Sequence, residues 1–227
     1  MRTTPIRWPR TLALLGLTIA LNACGEIVST TDKDKGAAKP ALPVIAAQIG
    51  DTWDEVIRHS TFKLGPLPME AGTIINKPHT FIYRDPRHPM QLDNVGYMGV
   101  SVGYEGTHPI DSIAIGPYPD STETDETWRR MQDIVQKMEK AGWIADDDRN
   151  KRNPYAHSAA ELRSQYLNLP GGAQGAEKFW YDEYGNEAWV RLVKTIVDDP
   201  GLHPEPRFNI VLDIQVATHP KHAKTAK

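Results

Sequence analysis

The sequence is nearly devoid of cysteine: Cys24 is the only one among 227 residues. The chain downstream of it can therefore form no internal disulfide, and it offers neither a cysteine-based zinc site nor a cysteine nucleophile. The composition is 40% hydrophobic and 24% charged, with a mean hydropathy of -0.49. These values exclude a multi-span membrane protein and a fully disordered chain, which leaves one or two small water-soluble domains.

Basic residues are not in excess. The formal net charge is -3, and three of the 26 basic side chains, Arg2, Arg7 and Arg10, lie in the first 23 residues, where there is no acid. The rest of the chain therefore has 23 basic against 29 acidic side chains. Nucleic-acid binding needs clustered Lys and Arg to displace counterions from phosphates, so the acidic body argues against it.

Long hydrophobic runs are also missing. The apolar run at residues 11–21 follows the three arginines, and at about 1.5 Å per residue it is too short to cross a roughly 30 Å hydrocarbon layer. This pattern predicts a signal peptide over residues 1–23 rather than an anchoring helix.

The residues that end this run, Leu21-Asn22-Ala23-Cys24, resemble the lipobox of bacterial lipoproteins. The resemblance implies that Cys24 becomes the mature N-terminus and carries acyl chains such as palmitate. Gly25 in place of Asp implies the outer membrane, with the protein facing the periplasm. Several buried acyl chains hold a protein on a bilayer at about 0.8 kcal/mol per CH2. The alternative is an ordinary cleaved signal peptide with an incidental cysteine.

The remaining chain is predicted to contain two folded units between flexible ends. Residues 24–43 form a polar, charged tether after the lipidation site, and residues 219–227 form a flexible tail, because neither segment has enough apolar side chains to offset the entropy of ordering it. Residues 44–120 are expected to be a first α+β unit and residues 121–218 a second.

In the first unit, Thr52-Trp53-Asp54-Glu55 is a capping box that begins a short helix. Strands are predicted at residues 80–83, 98–104 and 110–115 from β-rich composition and two-residue alternation.

In the second unit, apolar residues at three- and four-residue steps predict a helix over residues 122–142. The capping box Ser158-Ala159-Ala160-Glu161 begins a shorter helix, and strands are predicted at residues 178–184, 187–197 and 208–216. Residues 146–152 are predicted to be a charged loop. Each unit is therefore expected to be one or two helices packed on a three-stranded antiparallel sheet, which is an α+β fold with two similar halves.

The start of the first predicted helix resembles a known family. Ile49-Gly50-Asp51-Thr52-Trp53-Asp54-Glu55-Val56 is similar to the Gly-x-Thr-x-x-x-Val helix start of the BamE-like (SmpA/OmlA) lipoproteins. The paired helix and sheet units resemble the related β-lactamase inhibitor protein. Both resemblances imply a binding protein whose sheet or loops dock onto a partner, without catalysis.

Gly99-Val100-Ser101-Val102-Gly103 matches the G-x-S-x-G nucleophile elbow, which would make Ser101 a nucleophile. An elbow needs a strand before the serine and a helix after it, whereas the alternation continues through Ser101 into a turn and another strand. Ser101 is therefore interpreted as structural, and a lipid-anchored serine hydrolase stays as a third hypothesis for function.

Metal binding has little support in the sequence. The histidines at positions 59, 79, 88, 108, 157 and 203 lie in separate segments and are interpreted as surface or turn residues. Residues 146–148 are three consecutive aspartates, but they lack the alternating oxygen ligands of a calcium loop. No metal, cofactor or catalytic residue is predicted.

Acidic and aromatic residues near predicted turns are the candidates for binding a protein partner, because Trp and Tyr anchor interfaces and acidic groups steer association with basic surfaces. The candidates are Glu105, Asp146, Asp147, Asp148, Tyr181, Asp182, Glu183 and Tyr184.

The leading hypothesis is a non-catalytic lipoprotein that binds and neutralises a protein. Its organisation is similar to that of the immunity lipoproteins that guard bacteria against type VI secretion effectors such as phospholipases and cell-wall enzymes. An envelope-assembly or scaffold lipoprotein of the BamE-like type is the alternative.

Overall fold

The computed structural model describes residues 41–67, 72–102, 109–152, 156–195 and 205–217. Cys24, Glu105, the predicted signal peptide and the predicted tail lie outside these residues. The strands are β1 (Val44–Ala47), β2 (Gly72–Ile75), β3 (His79–Tyr83), β4 (Met90–Val95), β5 (Tyr97–Val102), β6 (Ile110–Gly116), β7 (Thr122–Glu123), β8 (Ile144–Ala145), β9 (Gln174–Tyr181), β10 (Asn186–Lys194) and β11 (Arg207–Val216). The helices are α1 (Trp53–His59), α2 (Thr124–Lys140), α3 (Asp147–Arg152) and α4 (Ala159–Tyr166).

The strands form two sheets. A three-stranded sheet has the order β1-β3-β4, in which β1 runs parallel to β3. An eight-stranded sheet contains the order β2-β5-β6-β11-β10-β9-β8, with β7 paired to β11 off this path. Among the described residues, no helix is both long and apolar enough to cross a membrane.

The α+β class is confirmed, but two similar units with separate three-stranded antiparallel sheets are not. Strand β11 pairs with β10 on one side and with β6 on the other, and the register places Leu212 opposite Ile115 and Ile214 opposite Ile113. This pairing buries apolar side chains of both halves and satisfies the backbone groups of two strands at once. Strands β2, β5 and β6 of the first half therefore share one sheet with the strands of the second half, whereas β1, β3 and β4 form the other sheet.

Helix α1 begins as the sequence predicts. The Thr52 side chain accepts a hydrogen bond from Glu55 N, and the Glu55 carboxylate accepts one from Thr52 N at 2.7 Å, which completes the capping box. Trp53 and Val56 are buried, and the Trp53 indole donates to Gly65 O at 2.9 Å. The helix start is thus fixed by local hydrogen bonds and the following segment by the indole.

Helices α2 and α4 are also confirmed. The buried α2 residues Met131, Ile134 and Met138 recur at helical spacing, and the helix contacts both β11 and α4. At α4, Ser158 accepts from Glu161 N, but the Glu161 carboxylate accepts from His157 N rather than from Ser158 N. In this second capping box the carboxylate therefore binds the backbone N–H of the residue before the N-cap, not that of the N-cap itself.

The predicted charged loop at residues 146–152 is wrong for most of its length, because α3 occupies Asp147–Arg152. The Asp146 carboxylate accepts from Arg149 N at 3.0 Å, which satisfies a backbone donor of the first turn. No side chain of α3 is buried, so the helix has no apolar periodicity that the sequence could reveal.

Candidate partner-binding site

Three segments that are distant in the sequence meet at one corner of the fold. They are the loop between β3 and β4, the turn after α2, and the turn between β9 and β10. The His88 imidazole donates from Nδ1 to Ala141 O at 3.1 Å, and its ring centroid lies 5.1 Å from that of Trp143. Its Nε2 atom lies 3.8 Å from Asp182 Oδ2. His88 therefore joins all three segments.

The turn after α2 depends on a glycine. Gly142 has a φ of +85°, which L side chains rarely adopt, and it directly precedes the buried Trp143. This conformation ends α2 and turns the chain so that Ala141 O and the Trp143 ring both face His88.

Asp182 organises the turn between β9 and β10 from within. It is 1% exposed, and its Oδ1 accepts hydrogen bonds from the backbone N–H groups of Tyr184 and Asn186, both at 2.8 Å. Its Oδ2 accepts from Asn186 Nδ2 at 2.6 Å. The burial of this carboxylate argues against the prediction that Asp182 contacts a partner directly. Asp182 holds the turn instead.

The turn presents Tyr184 to solvent. This side chain is 57% exposed, and the Arg87 guanidinium carbon lies 3.5 Å from the centroid of its ring. Arg87 in turn donates from Nε to Asp85 Oδ1 at 2.8 Å and from Nη2 to Asp85 Oδ2. Together, Tyr184 and Arg87 form an exposed pair whose ring and guanidinium are held by contacts below the surface; we call this the Arg87–Tyr184 pair.

Asp85 is a buried support for this pair. Only 5% of the residue is exposed, and hydrogen bonding to the Arg87 guanidinium is the main cause that lowers the pKa of its carboxyl. The same contact raises the pKa of Arg87. Both groups are therefore ionised at neutral pH, and the guanidinium is fixed by a bidentate contact.

Tyr83 lies beneath the corner and is 1% exposed. Burial is the main cause that raises the pKa of its phenol, and the neighbouring carboxylates Asp85 and Asp182 raise it further. The ring lies 6.2 Å from that of Trp143. This aromatic layer gives the polar groups above it a rigid base.

The predicted acidic residues Asp146, Asp147 and Asp148 lie next to the hairpin that β9 and β10 form. Strand β8 pairs with β9 so that Ile144 is opposite Tyr181, and Asp146 N donates to Phe179 O at 3.0 Å. The Asn150 side-chain amide forms two hydrogen bonds with the backbone of Phe179: it donates to the Phe179 carbonyl at 3.2 Å and accepts from the Phe179 N–H at 2.9 Å. Helix α3 is thus tied to the edge of the sheet that leads to the turn.

The structure assigns different positions to the predicted partner residues. Asp147 and Asp148 are exposed, whereas Asp146, Tyr181 and Glu183 are half-buried. Asp146 caps α3 and has a structural role. Sequence reasoning therefore found one exposed aromatic residue, Tyr184, and two exposed carboxylates.

Sequence reasoning missed the other half of the corner. Asp85, Arg87, His88 and Trp143 were not predicted to be site residues. The interpretation of His79 as a surface or turn residue is wrong, because it is 0% exposed and lies in β3, whereas His88 lies in a turn as expected but is only 7% exposed. The Asp-x-Arg-His spacing in the loop after β3 was the available signal: an Asp commonly accepts from the backbone two residues on, as Asp85 does from Arg87 N at 3.0 Å.

Ser101 lies within β5, where it is exposed and stands opposite Gly72 of β2 and Ser112 of β6. This position in a paired strand agrees with its interpretation as a structural residue. Within the described ranges, no group of three or more His, Cys, Asp or Glu side chains is placed to hold a metal ion.

Comparison of the chain with protein-family models, curated proteins and solved structures returns no match.

Proposed function

We propose that this chain is a lipid-anchored, periplasm-facing protein of the outer membrane that binds and neutralises a protein partner without catalysing a reaction. The proposed partner is a type VI secretion effector, such as a phospholipase or a cell-wall enzyme. The observation behind the proposal is the Arg87–Tyr184 pair, with Tyr184 57% exposed and the guanidinium 3.5 Å from its ring. The lipobox-like residues before Cys24 support the location.

The pair has the properties of an interface anchor. Tyr and Arg are enriched among the residues whose truncation weakens protein complexes most. The Asp182 hydrogen bonds fix the backbone of the turn, and Asp85 fixes the guanidinium. A surface that is ordered before binding loses less conformational entropy on association.

Exposed carboxylates near the same hairpin add an electrostatic contribution. Asp147 and Asp148 lie on α3, which is tied to β9 through Asn150 and Phe179. Effectors that act on anionic phospholipid or at an anionic surface tend to be locally basic, so exposed carboxylates would accelerate the encounter.

The BamE-like helix start supports the scaffold alternative less strongly, because its residues have local roles. Gly50 has a φ of +93°, and Asp51 accepts from Gln48 N at 3.0 Å and pairs with Arg84 at 2.7 Å. Thr52 caps α1. These contacts explain the motif as a helix start, so we prefer an effector as the partner.

The test begins with effectors encoded beside this gene and measures their association with the purified chain by surface plasmon resonance. Tyr184→Ala is expected to raise the dissociation rate, with a loss of about 2 kcal/mol. Asp147→Lys with Asp148→Lys is expected to slow association and to weaken its salt dependence.

Leu167→Ala serves as a control, because this residue is 46% exposed but lies at the end of α4. A partner that binds all of these variants like the wild-type protein would show that the Arg87–Tyr184 corner is the wrong surface. If no neighbouring effector binds and envelope-assembly proteins are recovered with the chain instead, the scaffold hypothesis replaces this one.

A further inference from the structure

A second surface lies far along the sheet from the β9–β10 hairpin. Strand β2 is at one end of the eight-stranded sheet and β8 is at the other. Beside β2 is an open groove of about 330 Å³, which lies between this strand and the segment after α1. Its apolar lining includes Trp53, Phe62, Leu64 and Ile74, and Lys63 and Lys77 contribute the charged groups.

Among the described residues, β2 has a strand partner on one side only. Within the described residues, β2 pairs only with β5, from Gly72 opposite Ser101 to Ile75 opposite Met98. Alternate residues of an edge strand direct their N–H and C=O groups away from the neighbouring strand. Such an edge can accept another strand through main-chain hydrogen bonds.

Ile74 gives this edge an unusual apolar exposure. Its side chain is 70% exposed, more than that of any other large hydrophobic residue of the described ranges. The register explains why, because Ile74 is opposite Gly99, which is followed across the sheet by the small residue Ala114. No bulky cross-strand neighbour covers the isoleucine, whereas Ile75 on the other face packs against the core.

The charged residues of the groove indicate which kind of segment would bind there. Lys63 and Lys77 are both exposed, and among the described residues that line the groove there is no carboxylate. In the part of the chain that the structure describes, neither lysine forms an ion pair, although the body of the protein is acidic overall. An occupant with carboxylates would therefore complement this groove.

A second copy of this chain is a poorer occupant. Symmetric pairing of two β2 edges would bring the same lysines of both copies to one interface, because a twofold contact uses the same patch twice. Like charges placed together in this way destabilise an interface.

We propose that the β2 edge and its groove bind an extended, acidic segment of a partner protein as an additional strand. The segment places an apolar side chain against Ile74, Phe62 and Leu64, and its carboxylates meet Lys63 and Lys77. This surface is separate from the Arg87–Tyr184 pair, and the inference does not depend on the partner proposed for that pair.

The test uses the full chain and three short synthetic peptides. The first alternates Ile and Glu, the second alternates Ile and Lys, and the third repeats the first with alternate backbone nitrogens methylated. Isothermal titration calorimetry is expected to show that the Ile/Glu peptide binds, and that the other two bind at least about tenfold more weakly. Equal binding of the methylated peptide would overturn strand addition.

Two sets of variants locate the site. Ile74→Asp and the double variant Lys63→Glu with Lys77→Glu are each expected to weaken binding of the Ile/Glu peptide about tenfold or more. The matched controls are Val216→Asp, at a strand residue that is 49% exposed, and Lys140→Glu with Lys151→Glu, at exposed helix positions. Circular dichroism shows that each variant is folded. Equal losses in the controls would overturn the proposal.

Phosphatidylglycerol vesicles provide the remaining arm of the experiment. If the vesicles bind through Ile74, Lys63 and Lys77 while the Ile/Glu peptide does not bind, the groove is a lipid-binding surface and the proposal is wrong. The peptide assay tests the β2 groove and the effector assay tests the Arg87–Tyr184 pair. A negative peptide result would therefore contradict this inference without contradicting the proposed function.

Discussion

The guanidinium carbon of Arg87 lies 3.5 Å from the centroid of the Tyr184 ring, so the loop after β3 contacts the turn after β9 at the protein surface. Arg87 is also bound to the buried Asp85, and the backbone of Tyr184 is bound to the buried Asp182. The contact therefore links two buried carboxylates through two exposed side chains, and it connects the two sequence halves.

A double-mutant cycle of Arg87→Ala and Tyr184→Ala is expected to give a coupling free energy of about 0.5–1 kcal/mol, the usual range for a cation–π contact near the surface. The cycle cancels the separate cost of losing the Arg87 contact with Asp85. Urea unfolding of the four proteins measures the coupling. Tyr184→Phe should retain most of it, because the ring is kept; a coupling near zero would contradict the contact.

Asp182→Ala is expected to lower the free energy of unfolding by about 2–3 kcal/mol, because it removes a charged acceptor and leaves buried turn donors without their partner. Asp182→Asn should cost less, since it retains one acceptor oxygen. Asp147→Ala is the control, and at its exposed position the change should stay within about 0.5 kcal/mol. If Asp182→Ala proves as stable as this control, the turn does not depend on the carboxylate.

Glu177 is expected to make stability depend on pH. It is 3% exposed and accepts a hydrogen bond from the Tyr166 hydroxyl at 2.5 Å, but burial dominates and raises the pKa of its carboxyl. A pKa that is higher in the folded state stabilises the fold below the unfolded pKa, about 4.3, and this contribution is lost as pH rises through the folded pKa.

The variant Glu177→Gln lacks this titration, so its unfolding free energy relative to wild type should increase from pH 4 towards pH 8 and then level off. Urea denaturation across this range measures the difference. A difference that is constant with pH would show that the Glu177 carboxyl titrates alike in both states.

Cys24→Ser is expected to release the chain from the membrane fraction without changing its thermal unfolding, because the predicted tether separates Cys24 from the folded residues. Cell fractionation with immunoblotting measures the location, and purified protein gives the unfolding temperature. Persistence of the variant in the membrane fraction would refute lipid anchoring at this residue.

Local signals in the sequence predicted much of the secondary structure. The Thr52 capping box and the spacing of Met131, Ile134 and Met138 correctly located α1 and α2, because caps and helical periodicity act within a few residues. Alternation located β11 for the same reason. Strands β1, β2, β4, β7 and β8 and helix α3 were missed. Strand β2 is a short edge strand and α3 has no buried face, so neither has a clear local pattern.

The candidate site was less accessible to sequence reasoning. Tyr184 could be identified from its aromatic and acidic neighbours, but Arg87 could not be paired with it, because nothing local links the two loops. The burial of Asp182 also depends on its surroundings, since the same carboxylate would be an exposed turn residue without His88 and Trp143 beside the turn.

The amino-acid sequence alone determined where α1 and α4 begin, which face of β11 is apolar, and that Cys24 follows a signal-like segment, because each of these properties depends on neighbouring residues. Tertiary structure decided that β11 joins β6 and that His88 lies against Asp182. Strand partners and buried polar contacts are chosen by packing across long sequence separations, where many alternatives share the same local pattern.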